Sequence, residues 1–229
     1  MKKRKGVFVV LDGPDGSGKT TQVALLADRL KRMGKKVAIV DFPQYDKSFF
    51  GAMVGQYLKG EYGDVFKISP YLSSLLYALD RWSAAEQIRK LLKAGTIVLA
   101  NRFTSSNIIH QAAKFTTEKE RTEYNAWISQ VEFKELHVPK PNRVVFLDVP
   151  PNISWGLIER RNRKNHPQGS KRDKHESSRS HLRKAYESAR KYASRHPDWM
   201  VVSCARGKRL FSPEEIHERV YTSLRRVLG

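Results

Sequence analysis

Residues 13–20 read Gly13-Pro14-Asp15-Gly16-Ser17-Gly18-Lys19-Thr20, a Gly-x-x-x-x-Gly-Lys-Thr spacing. These residue types at this spacing suit the capture of a chain of phosphates. Glycines let successive backbone N–H groups turn inward around phosphate oxygens, and the next helix aims its positive end at the same place. Lys19 can reach the outer phosphates as a point charge, and the Thr20 hydroxyl can ligate magnesium. A glycine turn carrying a chance lysine is the alternative, and the flanks argue against it. Val7-Phe8-Val9-Val10-Leu11 is an apolar run of strand length, and Gln22-Val23-Ala24-Leu25-Leu26-Ala27 is helix-forming. Strand, loop and helix together imply a nucleoside triphosphate site.

The elements that must hold this loop alternate along the chain. Apolar strand-length runs fall at 7–12, 36–41, 96–100, 143–149 and 199–204. Helical stretches lie between them. The first runs from the loop to Met33 with Gly34 as its stop, and others cover about 47–59 and 106–114, then 118–136 and 176–195. Ser69-Pro70 opens a long helix ending near Gly95, and Ser212-Pro213-Glu214-Glu215 caps the last one. A helix from Ile153 is expected to dissolve at Arg160. Alternation of this kind predicts a parallel sheet covered by helices on both faces.

At 229 residues with 40% hydrophobic content, the chain suits one domain with a substantial core. No apolar run approaches the ~20 residues of a membrane span. The basic start Met1-Lys2-Lys3-Arg4-Lys5 leads into a strand rather than the core of a signal peptide. A lone cysteine, Cys204, excludes an intrachain disulfide framework and points to a reducing cytoplasm. The net charge of +20 favours phosphate-bearing partners, small or polymeric. Nine of those charges sit in residues 156–195.

A phosphate loop alone does not choose between kinase, GTPase and motor. No Asn-Lys-x-Asp stretch follows a strand, which removes the usual guanine-reading element. Asp148 ends the run Val144-Val145-Phe146-Leu147; it reads better as an ordinary strand-end aspartate than as a second magnesium-binding acid. The polar, basic segment 160–173 suits a lid closing arginines over a transferring phosphoryl group, with a nucleic-acid contact surface as the other reading. Tyr77 and Arg81, four residues apart, share a helix face. They could stack and read a base, although spacing alone favours a core tyrosine beside a surface arginine.

From Gly6 almost to the C-terminus the chain resembles the thymidylate kinase family of P-loop nucleoside monophosphate kinases. The resemblance rests on the phosphate loop and on Phe42-Pro43 with Tyr45. It rests also on Tyr77-Ala78-Leu79-Asp80-Arg81-Trp82, Asn101-Arg102-Phe103-Thr104-Ser105-Ser106-Asn107, Pro139-Lys140-Pro141 and Arg172-Asp173-Lys174-His175-Glu176. It implies a P-loop NTPase fold, three layers α/β/α with a five-stranded parallel sheet and a basic lid at about 160–175, within one kinase domain spanning 1–229. It further implies transfer of the ATP γ-phosphoryl group to dTMP, with Mg2+, in a homodimer.

Carried over by position, Gly13, Asp15, Gly16, Ser17, Gly18, Lys19, Thr20 and Thr21 would bind ATP. Thr20, and Asp15 through water, would meet the metal. The dTMP site would comprise Asp15, Phe42, Pro43, Tyr45, Tyr77, Arg81, Arg102, Ser106, Asn107, His110 and Gln111. Within it Tyr77 would stack on thymine, Arg81 would bond a thymine oxygen, Asn107 would read the far edge and Arg102 would clamp the acceptor phosphate. Lys19, Asp15, Arg102 and the lid arginines Arg160, Arg163 and Arg172 form the expected catalytic set. This chain has Gly16 where some members carry an arginine in the loop, Asn101 where aspartate is frequent, and His110 where a tyrosine often guards against ribonucleotides. A kinase for another deoxynucleotide or nucleoside, or a nucleic-acid-binding P-loop ATPase, remains the rival reading.

Overall fold

A computed structural model of the protein describes residues 5–165 and 179–229, the side chains of 161–165 excepted. Five strands form one parallel sheet: β1 (Val7–Asp12), β2 (Val37–Asp41), β3 (Ile97–Asn101), β4 (Arg143–Asp148) and β5 (Trp199–Ser203). Their order across the sheet is β2-β3-β1-β4-β5. β1 therefore lies at the centre, and the chain after it departs first to one side and later to the other. The carboxyl end of such a strand opens a crevice where ligands bind.

Central strands buried on both faces explain the continuous apolar runs. Phe8 and Val10 point into one core with Val98, Ala100, Phe103 and Phe146; Val9 and Leu11 point into the other with Leu99, Val145 and Leu147. α1 (Lys19–Arg32) and α7 (Pro213–Leu228) cover the second face through Leu26, Leu30, Val220 and Leu224. α3 (Pro70–Lys93) and α6 (Arg179–Ala193) cover the first through Ile88, Ala185 and Ala189. The layers are helix, sheet, helix, as the alternation predicts.

The helix ends follow their sequence signals closely. Gly34 follows α1 at φ +73°, and Ser212 with Glu215 closes a reciprocal capping box on α7. Ser69 does precede α3, but its hydroxyl makes no cap bond; proline at the first position carries the start. α2 (Phe49–Lys59) takes its cap from Ser48, which accepts from Gly51 N.

Three segments differ from the sequence reading. The stretch 106–114 is a π-turn at Asn107–Gln111 followed by a 3-10 turn at Ala112–Lys114. The stretch 118–136 is α4 (Glu118–Gln130) followed by a second π-turn at Val131–Glu135. Third, α5 (Pro151–Asn165) runs on through Arg160 instead of dissolving there. Residues 160–165 are Arg, Asn and Lys only, and Arg and Lys are good helix formers. A small hairpin, β6 (Ala205–Arg206) with β7 (Arg209–Leu210), was not legible in so short a stretch.

Candidate active site

A cavity of 810 Å³ opens at the carboxyl ends of β1 and β3. Of the expected site residues, all of Asp15–Thr21 line it, as do Phe42, Pro43, Tyr45, Tyr77, Arg81, Arg102, Ser106, Asn107, His110 and Gln111. Gly13 lies behind the lining, where its φ of +151° turns the chain out of β1 and a Cβ would meet Leu147 O at 2.8 Å. Of the lid arginines, Arg160 is exposed on α5, the Arg163 side chain is not described, and Arg172 lies outside the described residues.

Gly16 and Gly18 hold φ near +75° and +82°, which shape the phosphate loop ahead of α1. A Cβ on Gly16 would meet Ser154 O at 2.8 Å and Ile158 Cγ1 at 3.0 Å, so α5 packs where a loop arginine would begin. Lys19 folds back over the loop, donating to Gly13 O at 3.0 Å and Pro14 O at 2.9 Å. Beside it Asn101 Nδ2 donates to Thr20 Oγ1 at 3.2 Å, while Asn101 Oδ1 is buried without a protein partner. A hydroxyl and an orphaned amide oxygen form an oxygen donor set, which fits a hard cation such as Mg2+.

Arg102 leaves β3 at φ +64°, an uncommon conformation for a residue with a Cβ. Its backbone N–H donates to Leu11 O at 3.0 Å, holding this bend against the end of β1. The guanidinium pairs with Asp15 and, through Nη1, lies 3.0 Å from His110 Nε2. Burial by itself would push the Asp15 carboxyl up, but Arg102, His110 and Lys19 together hold it well below the usual carboxylate range. Asp15 thus faces Arg102, a cation that competes with its expected contact to metal-bound water.

Asp12, which sequence reading left without a role, anchors the floor. Its Oδ2 accepts from Ser105 Oγ at 2.6 Å and Ser106 Oγ at 2.7 Å, and its Oδ1 accepts from Gly13 N at 2.9 Å. The Ser106 hydroxyl, expected on the acceptor, is thereby turned to Asp12. Asp80 does similar work on the cavity's far wall. It accepts from Gln44 N at 3.0 Å and Ser48 Oγ at 2.6 Å, and so fixes the loop carrying Phe42, Pro43 and Tyr45.

Arg81 overturns the spacing-based expectation of a surface arginine, since it is only 2% exposed. Its Nε and Nη2 make a two-pronged pair with Glu132 at 2.9 and 2.7 Å. Asn107 Nδ2 donates to the same carboxylate at 2.9 Å. Tyr77 lines the cavity and meets Tyr57 edge-on, with ring centroids 6.2 Å apart. Glu132 lies 51 residues beyond Arg81, and no spacing rule links the two. Leu210, Phe211 and Pro213 line the opposite end of the cavity and were likewise missed. The β6–β7 hairpin carries them there, and Gln22 Nε2 ties Pro213 O to α1 at 2.8 Å. Asp148 meets Arg190 Nε at 3.3 Å and lies away from the cavity lining, as a strand-end aspartate should.

His110 and His181 stack 6.4 Å apart between the cavity and α6. Burial holds both below the ordinary imidazole value, His181 at about 4; Lys114 and Lys184 oppose a proton on His181, and Arg102 and Lys19 oppose one on His110, while Asp15 favours both. The unfolded imidazoles take protons near pH 6.5 and the folded ones do not, so acid favours unfolding. The thermal midpoint should therefore fall as pH drops from about 6.5 towards 4. A His181→Gln variant should show a flatter profile in a pH series of melts; an unchanged slope would remove His181 from this effect.

Among the described residues, no helix is long and apolar enough to cross a membrane. A family model described as thymidylate kinase matches residues 11–209. The thymidylate kinase of Mycobacterium tuberculosis (strain ATCC 25618 / H37Rv) is 34% identical over 143 residues, 62% of this chain and 66% of the relative. The match to this relative thus spans just under two thirds of its length. The thymidylate kinase of Synechococcus sp. (strain JA-2-3B'a(2-13)) is 30% identical over 223 residues, 94% of this chain and 93% of the relative. A solved thymidylate kinase from Candida albicans superposes with a TM-score of 0.70, covering 97% of this chain and 92% of that one; at 19% identity this likeness bears on the fold. With a family model across most of its length and a relative matched nearly end to end, the chain belongs to the thymidylate kinase family.

Proposed function

We propose that the protein transfers the γ-phosphoryl group of ATP to dTMP, giving dTDP and ADP. The observation that carries this reading is one cavity of 810 Å³ that joins the phosphate loop to Tyr77, Arg81 and Asn107, the recess in which a base would sit. Phosphoryl transfer asks for alignment and charge more than covalent chemistry. Arg102 holds the acceptor phosphate, exchanging Asp15 for it, and one phosphate oxygen attacks the γ-phosphorus as the bond to the ADP oxygen breaks. Lys19 leaves the loop carbonyls for the moving group. Asp15, released from Arg102, faces the acceptor sugar. Thr20 Oγ1 and Asn101 Oδ1 would hold Mg2+, which supplies charge neutralisation between the outer phosphates. No general base is required, because the acceptor phosphate is largely ionised at neutral pH.

Arginines of the basic segment 160–175 complete the charge over the phosphoryl group in this reading, within one kinase domain. The test is ADP release from Mg-ATP with dTMP, dUMP, ribose TMP, dCMP, dGMP or no acceptor. Strongest stimulation by dTMP is expected. Stimulation by another nucleotide would reassign the pocket, and none at all would redirect attention to nucleic-acid binding.

Arg81 separates binding from folding. Arg81→Lys keeps the charge beside Glu132 but loses the planar fork, and should raise the dTMP KM by about tenfold, the scale of one base-edge contact, with kcat little changed. Arg81→Ala leaves Glu132 buried and unpaired, which should cost about 3–5 kcal/mol in a denaturant melt. An unaltered KM in the lysine variant would take Arg81 out of the pocket.

A homodimer is supported by the outer face of α2 and α3. Phe49 is 75% exposed and Trp82 48%, and Phe50 bridges them with edge-on contacts to both rings. Exposed aromatics in contact suit a partner surface. Light scattering should give twice the chain mass, and Phe49→Glu should shift it towards one chain. A cytoplasmic setting is supported by the lone cysteine, Cys204, which leaves no intrachain disulfide to form.

A further inference from the structure

Glu132 touches two of the residues that line the base recess, yet does not itself line the cavity. It stands on the second π-turn, where its carbonyl accepts from Val138 N at 2.8 Å. That turn aims its 1%-exposed carboxylate inward between Arg81 and Asn107. An ionised carboxylate accepts hydrogen bonds and donates none. Arg81 gives it Nε and Nη2, leaving Nη1 as the donor for the recess. Asn107 must present Nδ2 to Oε1, and the same Nδ2 lies 3.5 Å from Ser74 O, a second acceptor. The amide can therefore turn only its oxygen towards a base.

We infer that Glu132 is the positioning residue that sets the polarity of base reading: it holds the Arg81 guanidinium, always a donor, in place and fixes the Asn107 amide as acceptor. A base that offers an acceptor carbonyl beside a ring N–H matches this pair, as thymine and uracil do at O4 and N3. Cytosine presents an amino donor and an unprotonated ring nitrogen, so both contacts oppose it. The Asn107 share of cytosine rejection thus lies in a carboxylate that does not line the cavity. This inference rests on the reading of the recess as the dTMP site.

The test is kcat/KM for dTMP, dUMP and dCMP in the wild type and in Glu132→Gln. Glutamine has the same shape but can donate, which frees the Asn107 amide to turn over. The ratio of dTMP to dCMP should fall by about tenfold or more, the scale of a lost base-edge contact, while the ratio of dTMP to dUMP stays as in the wild type. A merely structural role would lower all three together and keep both ratios, and that result would overturn the inference. If the wild type itself does not prefer dTMP, the dTMP-site reading fails instead. Where Glu132→Gln does not fold, Arg81→Gln/Glu132→Gln removes the pair as a unit, and its dTMP to dCMP ratio should lie below that of Arg81→Gln alone. Equal ratios in those two variants would also overturn it.

Discussion

Lys19→Ala is expected to lower the turnover of ADP release by at least about 10²–10³-fold, the cost of removing one preorganised charge from a developing transition state. Lys19 is 7% exposed, and its ammonium reaches back over the loop from the first residue of α1. Its partners include the backbone carbonyls of Gly13 and Pro14. Loss of those two bonds should shift the thermal midpoint only slightly, because the loop is also held by Asp12 and by the bond from Ser17 N to Pro14 O at 3.1 Å. Turnover and melting should therefore separate. A folded variant with near-normal turnover would sink the proposed mechanism.

Arg102→Ala should lower kcat/KM for dTMP by about a hundredfold or more, through lost clamping of the attacking phosphate. It should also change how stability depends on pH. In the wild type Asp15 titrates below its unfolded value of 3.8, so the pair's stabilisation is complete above that value and fades as pH falls through the lowered one. Burial is already the largest influence on Asp15, and without Arg102 less opposes it, so the folded value rises. A buried carboxylate then opposes folding at neutral pH and ceases to do so once protonated. The gap in melting temperature between wild type and variant should be widest near pH 7 and should close below about pH 4. A gap independent of pH would mean that Asp15 and Arg102 do not form the pair seen here.

The departures from frequent family residues acquire physical accounts at this site. Gly16 cannot be an arginine without moving α5, since Ser154 O stands within 2.8 Å of the Cβ position. Asn101 keeps a hydrogen bond to Thr20 while its oxygen remains unpartnered, so the amide retains a donor atom for a cation. His110 lies against the guanidinium of Arg102, and burial holds its imidazole below the ordinary value, so it adds no charge to the cavity at pH 7.

The sequence by itself determined the strand–loop–helix at residues 7–32, the five strands, and the order of helices around them. Each of these depends on local signals: apolar runs, glycines at positive φ, and capping residues read within a few positions. The eleven residues that the family resemblance pointed to all line the cavity, although the Ser106 hydroxyl is committed to Asp12. Tertiary structure alone decided what those side chains bond. Arg81 looked like a surface residue because its partner, Glu132, is far along the chain, and a buried pair has no local signature. The π-turns at 107–111 and 131–135 likewise follow from packing, since their residues would suit ordinary helix. Local chemistry fixes where the chain turns; only the assembled core decides which charges meet, because burial and pairing depend on elements that the sequence keeps apart.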